Sequence, residues 1–223
     1  HHGPIISSIH ELKSFNNDVL SMKWTGHWIT KELDAWVELT LMDDWNDFSN
    51  ALRKFGVPGQ NIVYADVDGN IGWRPAVYIP ARKQGYSMAP RPGWDETYDW
   101  NGYIPFEEMP FLYNPPEGFI STANNRTIGD EFPYYISGLW ADPSRSSRIK
   151  EVLEQNKQFS LEDMKELQLD LTSNYSKEIL PHILTHSGRS DDDIYNRAIT
   201  FLKDWNHIEY IDSEGTLLFH SIS

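Results

Sequence analysis

Residues 61–73 of the chain read Asn-Ile-Val-Tyr-Ala-Asp-Val-Asp-Gly-Asn-Ile-Gly-Trp. Two runs rich in β-branched and aromatic residues flank the pair Asp68-Gly69, and such a pair supplies the positive φ that a tight hairpin turn requires. The stretch therefore predicts a β-hairpin, the strongest local signal in the sequence.

The same turn carries oxygen-bearing side chains at alternate positions, Asp66, Asp68 and Asn70, as a calcium loop does. An EF-hand loop counted from Asp66 requires glycine at its sixth position and a carboxylate at its twelfth. Those positions hold Ile71 and Val77, so the pattern favours a plain turn over a calcium site.

Before this hairpin, the sequence predicts a shorter hairpin and two helices. Residues 3–8 and 19–25 have the composition of two short strands that pair antiparallel. In residues 30–55 apolar side chains recur at spacings of three and four, which indicates two helices. The glycines and the proline that follow end the second helix, because neither residue type continues a helix at low cost.

After the hairpin, residues 75–116 are dense in proline, glycine and aromatic residues and show no sustained period. This composition predicts a long ordered excursion whose rings fill an irregular core. A carbohydrate-stacking surface built on Trp94, Tyr98, Trp100 and Tyr103 is the alternative, and the residues alone leave both open.

From residue 119 onward the pattern changes from strand-like to helical. Residues 119–123 predict one more short strand, which ends at the polar loop 124–126. The helices predicted beyond it are residues 144–155, a helix opened by a capping box at Ser160 and Asp163, residues 177–185 and residues 193–205. Residues 209–222 predict a closing hairpin that turns at Ser213-Glu214-Gly215. The fold class is therefore α+β, with hairpins, helices and an aromatic-rich region over residues 1–132 and a mainly helical part over residues 133–223.

The composition of the 223 residues excludes several classes of function. Nineteen Lys and Arg against 33 Asp and Glu give a formal net charge of −14, which repels a phosphate backbone, so we expect no nucleic-acid partner. No apolar run approaches the roughly 20 residues of a membrane span, so we expect no membrane span. The lack of cysteine excludes disulfides, thiolate nucleophiles and iron–sulfur clusters.

The sequence also lacks the common catalytic fingerprints. It has no HExxH pair, no GxSxG elbow, no P-loop and no GxGxxG. His182 and His186 have the i, i+4 spacing of two metal ligands on a helix, but no third ligand lies near them in sequence. We interpret them as part of a solvated helix face, so spacing alone indicates only an α+β domain with an aromatic-rich region.

Several blocks of the sequence, taken in order, resemble the penicillin acylase (penicillin amidase) family. The most specific are Tyr-Ala-Asp-Val-Asp-Gly-Asn-Ile-Gly at residues 64–72 and Ala-Asn-Asn-Arg at residues 123–126. The other blocks are His-Gly-Pro-Ile-Ile at 2–6, Trp-Asn-Asp-Phe at 45–48, Gly-Tyr-Ile-Pro-Phe at 102–106, Asn-Pro-Pro-Glu-Gly-Phe-Ile at 114–120, Pro-Tyr-Tyr-Ile-Ser at 133–137 and Arg-Ser-Ser-Arg-Ile at 145–149. Together they cover nearly the whole chain, which is identified on this basis as a member of the family.

The resemblance implies an N-terminal nucleophile hydrolase, whose precursor cuts itself into two chains and exposes a serine as the first residue of the larger one. That serine attacks an amide carbonyl with its own α-amino group as base, and the acyl-enzyme is then hydrolysed. The family's oxyanion donor matches Asn124, whose side-chain NH₂ suits a developing negative charge. A family arginine that lies near the nucleophile and orients the site matches Arg145. A turn-capping role for Asn124 and a surface salt bridge for Arg145 are the alternatives.

The resemblance further implies that this chain is a middle fragment of the catalytic chain, with part of the αββα sandwich. Its first residue is His1, whereas in the family the His-Gly-Pro block lies well inside the chain that begins with the nucleophile. We therefore expect no turnover from this chain alone. The implied partners are the smaller chain and the remaining catalytic chain of the same precursor.

The implied substrate is a small N-acyl amide, with a β-lactam, an acyl-homoserine lactone and an N-acyl amino acid as the candidates. No cofactor is expected. Some members of the family bind calcium through an aspartate shortly after the Pro-Tyr block, but residues 135–139 contain no carboxylate, so calcium is not carried over. The alternative function is a non-catalytic binding module that uses an aromatic surface.

Overall fold

The computed structural model describes residues 2–7, 18–84, 86–155, 158–188 and 190–222. The chain divides into two compact units. Unit 1 comprises residues 1–120 and 128–139, and unit 2 comprises residues 121–127 and 140–223. Each unit has its own hydrophobic core.

The two helices predicted in residues 30–55 are confirmed as α1 (Glu32–Leu39) and α2 (Trp45–Leu52). Asp44 caps α2, because its side chain accepts hydrogen bonds from the backbone N–H groups of Asn46 and Asp47 at 2.8 and 2.9 Å. The carboxylate thus satisfies two donors that the first turn of the helix leaves without partners.

The strands described in unit 1 are β1 (Gln60–Ala65), β2 (Ile71–Ala76), β3 (Pro80–Arg82), β4 (Trp100–Tyr103) and β5 (Leu112–Tyr113). The hairpin predicted at residues 61–73 is confirmed: β1 pairs antiparallel with β2, and Gly69 has a φ of +87° in the turn between them. On its other edge β2 pairs with β5, which gives a three-stranded sheet. The predicted pairing near the start of the chain is confirmed as an antiparallel bridge between Ile5 and Ser21, while residues 8–17 lie outside the described residues.

The segment 75–116 is more regular than its composition predicts. β3 and β4 form a second, antiparallel sheet, and Glu96–Tyr98 and Phe106–Glu108 are single turns of 3₁₀-helix. These strands are only three and four residues long, too short to produce a hydrophobic period in the sequence.

Unit 1 has two clusters of buried side chains. The first lies between the helix pair and the three-stranded sheet and contains Ala35, Phe48, Leu52, Phe55, Tyr64 and Ala76. The second lies in the aromatic-rich segment and contains Ile79, Ile104 and Met109. The centre of the aromatic-rich segment is therefore formed by aliphatic side chains and a methionine, and not by its rings.

The helices described in unit 2 are α3 (Ser144–Gln155), α4 (Leu161–Gln168), α5 (Asn174–His186), α6 (Asp193–Asp204) and α7 (Glu214–Ile222). The predicted capping box is confirmed, with Ser160 and Asp163 bonding each other's backbone N–H groups at the start of α4. Leu180, Leu202, Trp205 and Phe219 form the core shared by α5, α6 and α7. In the described part of the chain, no helix combines the length and apolar character that crossing a membrane requires.

The predicted hairpin at residues 209–222 is wrong, because most of that segment is helix α7. The hydroxyl of Ser213 accepts a hydrogen bond from the backbone N–H of Thr216 at 3.2 Å, and Phe219 is completely buried. A Cβ at Gly215 would lie 2.4 Å from Cγ of Trp205. The glycine therefore marks a close approach between α7 and Trp205, and not the tight turn that its neighbours in sequence indicate.

The strand predicted at residues 119–123 is also wrong, since this segment has no regular secondary structure. The backbone N–H of Ala123 donates to Oδ1 of Asn125 at 2.9 Å. A local side-chain acceptor thus takes a backbone donor that a strand would offer to a neighbouring strand.

Candidate functional site

The candidate oxyanion donor, Asn124, lies in a short loop of unit 2 with a left-handed backbone, at a φ of +61°. Asparagine is among the few residues other than glycine that adopt this conformation at modest cost. The carbonyl of Asn124 accepts a hydrogen bond from the backbone N–H of Ala141 at 3.0 Å. The loop 121–127 is thereby attached to the segment that leads into α3.

Arg145 lies in the first turn of α3 and holds this loop from the other side. Its Nη2 donates to the backbone carbonyl of Ala123 at 2.9 Å and to Oδ1 of Asn124 at 3.0 Å. A guanidinium has donors only, so the amide of Asn124 must present its oxygen to Arg145. The NH₂ group of Asn124 consequently faces away from Arg145, as a hydrogen-bond donor with a fixed orientation.

The start of α3 fixes the position of Arg145. Oδ1 of Asp142 accepts from the backbone N–H of Ser144 at 2.9 Å, and hydrogen bonds from Ser144 hold the pKa of Asp142 below its ordinary value. The carboxylate therefore stays ionised at the positive end of the helix. Asp-Pro-Ser at residues 142–144 is an N-terminal helix signal that the sequence analysis left unused.

A second arginine of α3, Arg148, anchors the helix within unit 2. Its Nε and Nη2 both donate to Oδ2 of Asp170, at 2.9 and 2.6 Å, and its Nη1 lies 2.9 Å from Oε1 of Glu151. Burial disfavours the charge of Asp170, but hydrogen bonds from Arg148 and Thr172 outweigh it and hold the pKa of Asp170 below its ordinary value. Arg148 lies in the block 145–149 that resembles the family, but its partner Asp170 is 22 residues further along the chain, so no local pattern indicates this role.

The neighbours of Asn124 shape the loop. Asn125 accepts from Ala123 through Oδ1 and donates to the carbonyl of Arg126 through Nδ2 at 3.0 Å. The hydroxyl of Thr122 is buried and makes no hydrogen bond within the described residues. Asn125 thus bonds backbone groups through both its oxygen and its NH₂, whereas the NH₂ of Asn124 makes no hydrogen bond to another described residue.

The other polar groups considered from the sequence are engaged locally. Nδ1 of His186 lies 2.8 Å from the carbonyl of His182, one turn earlier in α5. Among the described residues, no group of three His, Asp or Glu side chains is placed to hold a metal ion. In the hairpin turn, the carboxylate of Asp66 accepts hydrogen bonds from Asn70, Asp68 and Tyr64. These bonds hold the pKa of Asp66 below its ordinary value, and the side-chain bond from Asn70 has the largest effect.

A serine and a histidine also meet in unit 2, where Oγ of Ser176 lies 2.8 Å from Nδ1 of His207. Ser176 is completely buried, and its hydroxyl donates to the carbonyl of Ser173 at 2.9 Å. The hydroxyl therefore accepts from the imidazole, which is the reverse of the proton transfer that a serine nucleophile requires. This pair has a structural role.

Two of the four aromatic side chains considered as a glycan surface pack against other rings. The ring of Trp100 lies 6.0 Å from that of Trp28, and the ring of Tyr103 lies 5.4 Å from that of Tyr78. Trp94, by contrast, is 88% exposed. These contacts favour the packing interpretation for Trp100 and Tyr103.

The comparisons with known proteins point to one family. The family model described as penicillin amidase matches residues 1–223. An acyl-homoserine lactone acylase QuiP of Pseudomonas fluorescens is 33% identical over 157 residues, which are 70% of this chain and 19% of the relative. The penicillin acylase 2 proenzyme of Pseudomonas sp. is 36% identical over 56% of this chain and 16% of the relative. The penicillin G acylase of Escherichia coli is 28% identical over 87% of this chain and 23% of the relative.

A solved structure gives the same result for the fold. The thermostable penicillin G acylase from Alcaligenes faecalis superposes with a TM-score of 0.62 at 25% identity, over 86% of this chain and 35% of that one. This similarity confirms the predicted α+β class and the partial fold of an N-terminal nucleophile hydrolase. The chain spans about a fifth of the length of the curated relatives it matches.

Proposed function

Because the chain belongs to the penicillin amidase family, we propose that its protein hydrolyses N-acyl amides and that Asn124 stabilises the oxyanion of that reaction. Both penicillin acylases and acyl-homoserine lactone acylases are among its relatives. These relatives support a β-lactam and an acyl-homoserine lactone as candidate substrates, and an N-acyl amino acid stays a candidate from the family resemblance alone.

The observation that carries the proposal is the hydrogen bond from Nη2 of Arg145 to Oδ1 of Asn124. It orients a neutral amide so that the N–H groups face away from the guanidinium of Arg145. A donor held in place before the reaction stabilises a developing oxyanion without paying for reorganisation. Asn124 is exposed, as a group that must meet a substrate has to be.

The chemistry then follows the N-terminal serine mechanism. The serine Oγ attacks the amide carbonyl, its α-amino group takes the hydroxyl proton, and the carbonyl electrons move onto the oxygen that Asn124 faces. Collapse of this tetrahedral species re-forms the carbonyl and expels the amine, which takes up the proton. Water repeats the attack on the ester and releases the carboxylic acid and the serine.

Under this proposal the nucleophile is a serine outside residues 1–223. The proposal rests on the family's order of motifs, in which the block at residues 2–6 follows the nucleophile along the same chain, and on the small share of each relative that the chain covers. Residues 1–223 alone should then give no turnover. N-terminal sequencing of the chain that contains residues 1–223 in the mature protein should find serine as its first residue.

Arg145 acts in this scheme as a positioning residue, because it reaches the oxyanion only through Asn124. Replacing it with lysine keeps the charge but removes the planar, rigid guanidinium whose Nη2 donates to both Ala123 and Asn124. Arg145→Lys should therefore lower kcat with little change in KM, since the ground-state contacts of the substrate stay the same.

The decisive variant is Asn124→Asp in the mature protein. The aspartate keeps an acceptor for Arg145 and the shape of the side chain, but it has no N–H to donate. We expect kcat for chromogenic N-acyl amides to fall about a hundred- to a thousandfold, the usual effect of losing one oxyanion donor.

Asn125→Asp is the matched control, because it makes the same chemical change one residue along: it keeps the acceptor for Ala123 and loses an NH₂ donor, here the one to the carbonyl of Arg126. Its kcat should stay close to that of the parent protein. Equal losses of activity in the two variants would show that the loop needs its shape, and not the donor of Asn124. Full activity of Asn124→Asp would remove Asn124 from the mechanism altogether.

A further inference from the structure

Unit 1 contains a cavity of about 420 Å³ that the proposed reaction does not use. Strand β3, the segment before α1 and the loop that leads to β4 contribute to its wall. The lining side chains that matter here are Lys23, Arg82, Arg91, Tyr98 and Trp100. The volume fits one small molecule or one inserted side chain, and not an extended partner.

Three cations gather around two rings of this wall. Nζ of Lys23 lies 5.0 Å and Cζ of Arg82 lies 5.7 Å from the ring centre of Trp100. Cζ of Arg91 lies 5.5 Å from the ring centre of Tyr98. None of these three cations forms a salt bridge within the described ranges, although the whole chain carries a net charge of −14.

The cavity wall also holds two carboxylates, and both are directed to other partners. Oδ1 of Asp95 accepts from the backbone N–H and the hydroxyl of Thr97 at 3.0 and 2.7 Å. Oδ1 of Asp99 lies 3.7 Å from Nδ1 of His2. Within the part of the chain that the structure describes, neither carboxylate forms a salt bridge with Lys23, Arg82 or Arg91.

Of the three cations, Arg82 has the positive charge that its surroundings compensate least. Its side chain is half-buried, and burial lowers the pKa of its guanidinium. Its hydrogen bond within the described residues is a long one, from Nη1 to the carbonyl of Pro80 at 3.4 Å. A partly buried cation without a carboxylate is costly, so an anion that entered the cavity would be stabilised by Arg82 and would stabilise it in turn.

We propose that this cavity binds a small organic carboxylate, which Arg82 and Lys23 hold beside the ring of Trp100. A guanidinium offers paired N–H donors that match the two oxygens of a carboxylate, and the ring supplies an apolar wall for the rest of the ligand. The carboxylate comes either from a free small molecule or from an acidic side chain elsewhere in the same protein. The inference is independent of the proposed hydrolysis.

Benzoate is the probe, and benzamide is its neutral counterpart of the same shape. Binding of each to the intact protein is followed by calorimetry and by the NMR shift of the indole N–H of Trp100. The variants are Arg82→Met and Lys23→Met, which remove one charge and keep an unbranched side chain. Lys83→Met is the matched control, since Lys83 is exposed and does not line the cavity.

We expect benzoate to bind and to shift the Trp100 signal, and benzamide to bind at least about tenfold more weakly. Arg82→Met and Lys23→Met should each weaken benzoate at least about tenfold, and Lys83→Met should leave it unchanged. This outcome would assign the cavity to a free carboxylate.

Melting temperatures test the second possible source of the carboxylate, an acidic side chain elsewhere in the same protein. If benzoate does not bind and Arg82→Met lowers the melting temperature relative to Lys83→Met, an effect that high salt removes, a side chain of the same protein supplies the carboxylate. If benzoate does not bind and Arg82→Met raises the melting temperature or leaves it unchanged, Arg82 has no anionic partner and the proposal is overturned. Benzamide binding as tightly as benzoate would overturn it as well.

Discussion

The ion pair between Arg148 and Asp170 offers a quantitative test of how α3, and with it Arg145, is held. Two charge-assisted hydrogen bonds converge on one oxygen of Asp170, and the exposed fractions of the two side chains are only 22% and 16%. Water therefore screens the pair weakly. Asp170→Asn keeps Oδ1 as the acceptor for the backbone N–H of Thr172. It replaces Oδ2, the acceptor of both Arg148 bonds, with an NH₂ group, so the change removes the charge together with those two hydrogen bonds.

We expect Asp170→Asn to lower the free energy of unfolding by about 2 kcal/mol. The estimate lies below the roughly 3–5 kcal/mol for breaking a fully buried pair, because Glu151 still pairs with Arg148 in the variant. At roughly 2–4 °C per kcal/mol for a chain of this size, the melting temperature should fall by about 4–8 °C.

The pH dependence of this difference follows from the lowered pKa of Asp170. A carboxyl group whose pKa is lower in the folded state contributes stability above its ordinary value of 3.8, and this contribution is lost as the pH falls through the folded value. Asparagine does not titrate. The difference in the free energy of unfolding between the parent protein and Asp170→Asn should therefore be largest at pH 7 and should decrease as the pH falls below about 4.

The assay is thermal unfolding followed by circular dichroism at pH 7 and at pH 3. Glu154→Gln is the control, because its pair with Lys150, at 3.6 Å, has exposed fractions of 57% and 56% and should contribute little. If Glu154→Gln costs as much as Asp170→Asn, or if the cost of Asp170→Asn is the same at both pH values, the reasoning from burial is refuted.

Three further predictions concern other parts of the two units. Burial, and to a smaller extent the charge of Lys177, lowers the pKa of His207. The folded state therefore binds fewer protons than the unfolded state, and the free energy of unfolding should fall as the pH drops below the ordinary value of 6.5. A His207→Gln variant should show a flatter stability profile between pH 7 and pH 5 in urea titrations. Burial raises the pKa of Glu32, but hydrogen bonds from Thr30 and the backbone of residues 56 and 57 outweigh it and hold that pKa at about 2. The contribution of Glu32 should thus be full above its ordinary value of 4.5 and should be lost towards pH 2, and a Glu32→Gln variant should lack that part of the acid unfolding curve. Gly72→Ala would place a Cβ 2.2 Å from a ring carbon of Trp45 and should cost about 1–3 kcal/mol, whereas Gly188→Ala meets open space and should melt within a degree or so of the parent protein.

The helices and the central hairpin could be predicted from the sequence because their signals are local. Asp44 caps α2 through the next two or three residues, Ser160 and Asp163 are three residues apart, and Gly69 provides the positive φ of its own turn. The family, too, was evident from short blocks in order. Each of these signals is complete within a few residues, and tertiary packing had only to agree with it.

The segments predicted wrongly are those in which a distant residue decides. Gly215 suggested a turn, but Trp205, ten residues earlier, packs where its side chain would be, and the segment forms α7. Residues 119–123 had the composition of a strand, but they have no strand partner within the described residues, and Asn125 takes the donor of Ala123. Composition and spacing do not report such contacts.

The sequence by itself determined the family, the α+β class, the boundaries of α3 and α6 to within a residue, and the identity of Asn124 and Arg145 as candidates. Only the tertiary structure decided how these two residues meet across 21 positions of chain, with the oxygen of the amide on Arg145 and its N–H groups directed away. It also gathered Lys23, Arg82 and Arg91 around one cavity, where none of them forms a salt bridge with another described residue. Secondary structure follows from interactions within a turn or two, whereas the orientation of an amide and the neutralisation of a charge depend on which distant groups the fold brings within a few ångströms.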